Sequence, residues 1–216
     1  MKEEKCNYDK VTVIHQFPRS PWCKFAETKP VGGMTKEQFL SEIIRPVVRC
    51  AKKVTIIDKI IIRAAFGAAN NPSGYPGENW QSFKKSIQAV YEEWKGGLHQ
   101  GDGLFEVITW PVTHVQKNDK PLLGDDLAEE LGLRLAIPFK QLRIMFKNEQ
   151  RFRADMHDRY LITNQGFVLG FSRGFDLFAA DTLGTCDVYL RKPDDLIMRL
   201  MSPSNNCGML DRSRED

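Results

Sequence analysis

Residues 54–62, V-T-I-I-D-K-I-I-I, place five isoleucines and a valine in nine positions. A β-branched run this dense reads as a central strand covered on both faces, which commits the chain to a layered fold with a sheet inside it. Asp58 and Lys59 sit within the run, and with Arg63 they break the apolar stretch 54–67 well short of the roughly 20 residues a membrane-spanning helix requires. The first ten residues carry Lys2, Lys5 and Lys10 with Glu3 and Glu4, not the charged-then-apolar layout of a secretory signal, so the expectation is a cytoplasmic protein.

Helical and extended periodicities alternate around that strand. Residues 10–17 alternate as a strand, and a Pro/Gly-rich connection follows to Gly33. Thr35 and Gln38 form a capping-box signature, after which Leu40, Ile43, Ile44, Val47, Val48 and Ala51 recur at helical spacing, with Pro46 expected to kink or split the helix. Residues 68–78 are a loop by turn chemistry. Trp80, Phe83, Ile87, Val90, Tyr91 and Trp94 then trace the apolar stripe of a helix that stops at Gly96-Gly97. This aromatic stripe is core packing rather than a cofactor site. Further strands are expected at 104–110, 142–146, 156–163, 167–171 and 185–190, with a helix over 125–135 interrupted by Gly132. Asn164-Gln165-Gly166 supplies a hairpin turn, and Pro193 with Asp194 and Asp195 opens a last helix ending before Pro203. The expectation is an α/β sandwich with a mixed sheet flanked by helices, one domain over residues 1–203, and a disordered polar tail over 204–216.

The 216-residue chain can bury a core without covalent staples. Cys6, Cys23, Cys50, Cys186 and Cys207 are odd in number and form no C-x-x-C pair, which argues against zinc or disulfide scaffolds and leaves Cys186 as a small buried hydrophobe. The net charge of +3 is concentrated: residues 140–159 hold Lys140, Arg143, Lys147, Arg151, Arg153 and Arg159 against Glu149, Asp155 and Asp158. An arginine-rich excess of this kind suits phosphate oxygens, whose geometry matches the guanidinium fork; a solvated basic face is the plainer alternative.

The chemistry-bearing segment is M-H-D-R-Y-L-I-T-N, residues 156–164, followed by G-F-S-R-G-F-D, residues 170–176. In an extended strand His157 and Arg159 share a face while Asp158 points away, and a shared face is what phosphate contact needs. The segment resembles the phospholipase D superfamily signature H-x-K-x-x-x-x-D with its small G-S element. The matching positions are His157, Arg159 and Asn164, with Ser172 and Arg173 in the later element. More specifically, H-D-R at 157–159, S-R-G-F-D-L-F at 172–178 and L-G-T-C-D-V-Y-L-R at 183–191 resemble the phospholipase D-like domain at the C-terminus of microtubule-interacting and trafficking (MIT) domain proteins. Ile57-Asp58 corresponds to that family's aspartate-ending strand.

The resemblance implies a phospholipase D-like fold, a homodimer, and binding of acidic phospholipid head groups without a need for hydrolysis. On the superfamily pattern His157 is the candidate nucleophile and Arg159 the phosphate clamp; Asp58 and Asp176 are candidates to orient the imidazole or pair the arginine, with ordinary salt-bridge or turn residues as the plainer alternative. Arginine in place of lysine preserves phosphate binding, whereas Asn164 cannot supply the superfamily carboxylate and also suits a hairpin turn. These substitutions favour a module that binds a phosphate-bearing ligand, nucleic acid backbone or acidic lipid, with Arg151 and Arg153 as further contacts. The alternative is a metal-independent phosphodiesterase, most plainly a nuclease, with His157 as nucleophile in a site shared by two chains. Neither reading calls for a metal or cofactor. A purely structural adaptor explains the arginine cluster poorly.

Overall fold

In the computed structural model, residues 29–67, 77, 79–97, 103–110, 116–117, 120–147, 159–172, 174–178, 182–184, 186–191, 201 and 206–211 are described. The strands among them are β1 (Lys29–Pro30), β2 (Lys53–Ile57), β3 (Leu104–Thr109), β4 (Gln116–Lys117), β5 (Lys120–Pro121), β6 (Leu142–Lys147), β7 (Arg159–Thr163), β8 (Val168–Phe171), β9 (Asp187–Arg191) and β10 (Asn206–Asp211). Eight of them form one sheet in the order β1-β9-β8-β7-β2-β3-β6-β10, and β4 pairs with β5 apart from it. β2, β3 and β6 run parallel, while the remaining pairings are antiparallel. The α/β class with a mixed sheet is therefore observed.

Parallel neighbours need crossover connections, and helices supply them. Helix α1 comprises Lys36–Phe39, a π-helical stretch Leu40–Ile44 and Arg45–Val48; α2 is Ile61–Phe66, α3 Trp80–Lys95 and α4 Gly124–Leu135. All four bury their apolar faces on one side of the sheet, where Phe39, Ile43, Ile61, Phe66, Trp94 and Leu131 join Val54, Ile56, Phe105, Phe146 and Phe171 in the main core. The other side carries a smaller cluster of Ile57, Ile108, Trp110, Met145, Tyr160, Ile162 and Val168, with Met201 packed against it. Beside that cluster lies a charged ladder across three strands. Glu106 is fully buried, accepts from Thr55 Oγ1 at 3.0 Å, and lies 2.8 Å from Lys53 Nζ and 3.5 Å from an Arg143 guanidinium nitrogen.

Several local expectations are met atom for atom. Thr35 Oγ1 accepts from the Gln38 N–H while Gln38 Oε1 accepts from the Thr35 N–H, a complete capping box. The aromatic stripe of α3 is buried throughout. Gly166 takes φ of +85° in the hairpin turn that joins β7 to β8.

Other expectations need correction. The isoleucine run is not one strand: β2 ends at Ile57, and residues 61–62 begin the buried helix α2. The cause is Asp58, whose side chain accepts from the Ile60 N–H at 2.8 Å and turns the chain. At Pro46 the helix is interrupted rather than continuous α: a π turn, with Arg45 N–H reaching Leu40 O, precedes the proline, and α geometry resumes over Arg45–Val48. Gly132 does not interrupt α4 but makes room for Phe139, since a Cβ there would stand 2.4 Å from the ring. Residues 206–211 are not a loose tail but strand β10, because the exposed edge of β6 offers a free ladder to pair with. Cys186 is free and buried, as expected of a small hydrophobe. The expected strand at 10–17 and most of the expected last helix lie outside the described residues.

Candidate functional site: a cavity at the carboxyl end of strand β2

After β3 and β6 are laid down on one side of β2, the chain crosses to its other side to form β7. In open α/β sheets, ligand sites form outside the carboxyl ends of the parallel strands where the strand order reverses in this way. A cavity of about 290 Å³ lies at that place, lined by Ile60, Asn79, Phe83, Arg159, Ser172, Gly174 and Asp176.

Asp58 organises the cavity from behind. It is fully buried at the end of β2. Its Oδ1 accepts from the Ile60 N–H at 2.8 Å, its Oδ2 accepts from the Phe175 N–H at 3.0 Å, and Oδ1 stands 3.7 Å from Arg159 Nε. One carboxyl thus ties together the start of α2, the loop after β8 and the first residue of β7. Burial pushes that carboxyl above its ordinary value and the Asp176 charge adds to the rise; the two backbone donors and the Arg159 guanidinium act in the opposite direction. Gly174 permits the close approach: a Cβ there would lie 3.1 Å from Phe83, 3.2 Å from Asp176 Oδ1 and 3.4 Å from Asp58 Oδ2.

Arg159 opens β7, and its side chain is 14% exposed. Antiparallel pairing sets it opposite Phe171, the last residue of β8, so the next residue, Ser172, arrives at the same cavity. Ser172 Oγ accepts from the Asp187 N–H at 2.9 Å, and its own N–H donates to Asp187 O at 3.0 Å. This locks the hydroxyl in place and leaves its proton to point elsewhere. Asn79 stands at the amino end of α3 without a side-chain capping bond. Among the described residues, Asp176 makes no hydrogen bond or ion pair. The cavity therefore combines one guanidinium, one hydroxyl, one amide and one carboxylate with an apolar wall of Ile60 and Phe83.

Of the residues singled out in the sequence, Asp58, Arg159, Ser172 and Asp176 come together here. Asn164 does not. It is exposed at the hairpin, its Oδ1 accepting from the Lys53 N–H at 3.0 Å and its own N–H donating to Lys53 O. That places it at the opposite end of β7 from Arg159, about 17 Å away at strand rise. His157, Arg151, Arg153 and Arg173 lie outside the described residues. Asn79, Ile60 and Phe83 were not anticipated; an asparagine immediately ahead of an apolar helical stripe is the signal that was available for the first. Among the described residues no cluster of histidine, cysteine and carboxylate side chains could hold a metal ion.

Fold and cavity together define an α/β protein with a mixed sheet and an arginine-bearing pocket at a strand carboxyl end. No protein-family model and no curated protein matches this chain. No helix among the described residues is long and apolar enough to cross a membrane.

Proposed function

We propose that the chain is a phospholipase D-like domain that binds a phosphate-bearing ligand, nucleic acid backbone or acidic phospholipid head group, through the cavity around Arg159. In this reading it acts as a cytoplasmic homodimer and does not depend on hydrolysis. The carrying observation is the convergence of Arg159 and Ser172 on one cavity at the carboxyl end of β2, with the Asp58 carboxyl holding the floor. A mostly buried guanidinium presents a planar fork of donors, and a tethered hydroxyl beside it supplies another.

The test incubates pure protein with labelled single- and double-stranded DNA, RNA and phosphoinositide vesicles, scoring binding and cleavage apart. The expected result is salt-sensitive binding of at least one polyanion, weakened by Arg159→Ala, with no turnover. Absence of binding to all of them would overturn the proposal. Metal-independent cleavage lost in a folded His157→Ala variant would replace it with the phosphodiesterase reading.

A further inference from the structure

The cavity is not simply electropositive, and this limits what can fill it. Arg159 is the basic side chain among its described lining residues, and Asp176 faces the same space. An ionised carboxylate only accepts hydrogen bonds. A phosphate entering beside Arg159 would meet Asp176 with like charge, and a phosphodiester or fully ionised phosphoryl group has no proton to share, leaving that acceptor unsatisfied as water is expelled. A ligand that carries hydroxyl groups next to its phosphate removes the conflict. Its phosphoryl oxygens take the Arg159 guanidinium and the Ser172 hydroxyl, whose Oγ lone pair is already occupied by the Asp187 N–H. Its hydroxyls donate to Asp176, and its carbon skeleton rests on Ile60 and Phe83. A space of about 290 Å³ holds a phosphate together with a small ring.

From this division we infer that the site selects phosphorylated polyols, with Asp176 as the specificity-determining residue that reads the hydroxyls. The inference rests on the phosphate-binding reading above and narrows it to one ligand chemistry. The polyol phosphate can arrive as a free sugar phosphate or as the head group of a lipid.

Titration calorimetry of the full chain with ribose 5-phosphate, methyl phosphate and inorganic phosphate tests it. Ribose 5-phosphate is expected to bind at least tenfold more tightly than methyl phosphate. Asp176→Ala should shrink that ratio to about twofold while leaving methyl phosphate affinity equal or improved, and Asp176→Asn, which keeps one acceptor oxygen, should fall between. Circular dichroism establishes that each variant is folded. Vesicles containing phosphatidylinositol 4-phosphate or phosphatidic acid, competed against ribose 5-phosphate, separate the sources: displacement by the first alone assigns a lipid head group, and displacement by neither assigns the free sugar phosphate. Equal wild-type affinity for ribose 5-phosphate and methyl phosphate, or a ratio unchanged in Asp176→Ala, overturns the inference but leaves phosphate binding standing. No binding of any phosphate removes both.

Discussion

Replacing Asp58 by asparagine keeps the shape of a fully buried side chain but exchanges one of its two acceptor oxygens for a donor amide. Both oxygens are in use, one by the Ile60 N–H at 2.8 Å and one by the Phe175 N–H at 3.0 Å. Whichever way the amide turns, one backbone N–H faces another donor inside the protein, and a buried unsatisfied group costs about 1–3 kcal/mol. For a chain of this size that corresponds to a fall in Tm of about 2–12 °C. Relief from burying the carboxyl offsets part of this loss only where the carboxyl is ionised, which makes the comparison pH-dependent. Because burial raises the folded-state value above 3.8, the folded chain holds a proton at pH values where the unfolded chain has lost it. This group's contribution is complete below 3.8 and is lost as pH rises through the raised folded value. Urea unfolding of both proteins across that window should show the wild type losing stability with rising pH and Asp58→Asn lacking that component. An asparagine variant as stable as the wild type at every pH, with hydrogen exchange around Phe175 unchanged, would refute the role given to Asp58.

Three further outcomes follow from packing and charge. Gly132→Ala should destabilise by about 1–3 kcal/mol in thermal melts despite the better helix propensity of alanine, since the new methyl meets the Phe139 ring. Glu106→Ala should cost about 2–3 kcal/mol, below the ~3–5 kcal/mol of a fully enclosed pair because the Lys53 side chain is 28% exposed; chemical denaturation reads this directly. Deleting residues 205–216 should speed hydrogen exchange at the β6 amides that pair with β10, whereas a loose tail would leave them unchanged.

The sequence made the site's polar members legible for a physical reason. Asp58 and Arg159 stand out because a charge within an apolar run needs a partner and because both fall on the motif the chain resembles; in the structure each is part of the other's surroundings. The capping box and the Gly166 turn were readable because both are local chemistry, complete within four residues. The end of β2 was not readable, because a run of isoleucine serves a buried strand and a buried helix equally well, and the Asx turn at Asp58 that divides them depends on side-chain geometry. Phe83 was assigned wholly to the core by its place in the α3 stripe. It is buried, yet its ring also walls the cavity, a double use that periodicity does not distinguish. Asn164 misled in the opposite sense: its spacing from Arg159 suggested a shared site, but five residues along an extended strand carry it to the far end of the sheet.

The central claim, that the Arg159 guanidinium receives phosphate, is tested most directly by the Nε–Hε NMR cross-peak of that residue. Its assignment comes from its loss in Arg159→Lys. On titration with ribose 5-phosphate the peak should move saturably, with the shift suppressed at high salt and the Phe175 amide responding in parallel through Asp58. A cross-peak that stays fixed while the ligand binds elsewhere, or while no ligand binds at all, would contradict it.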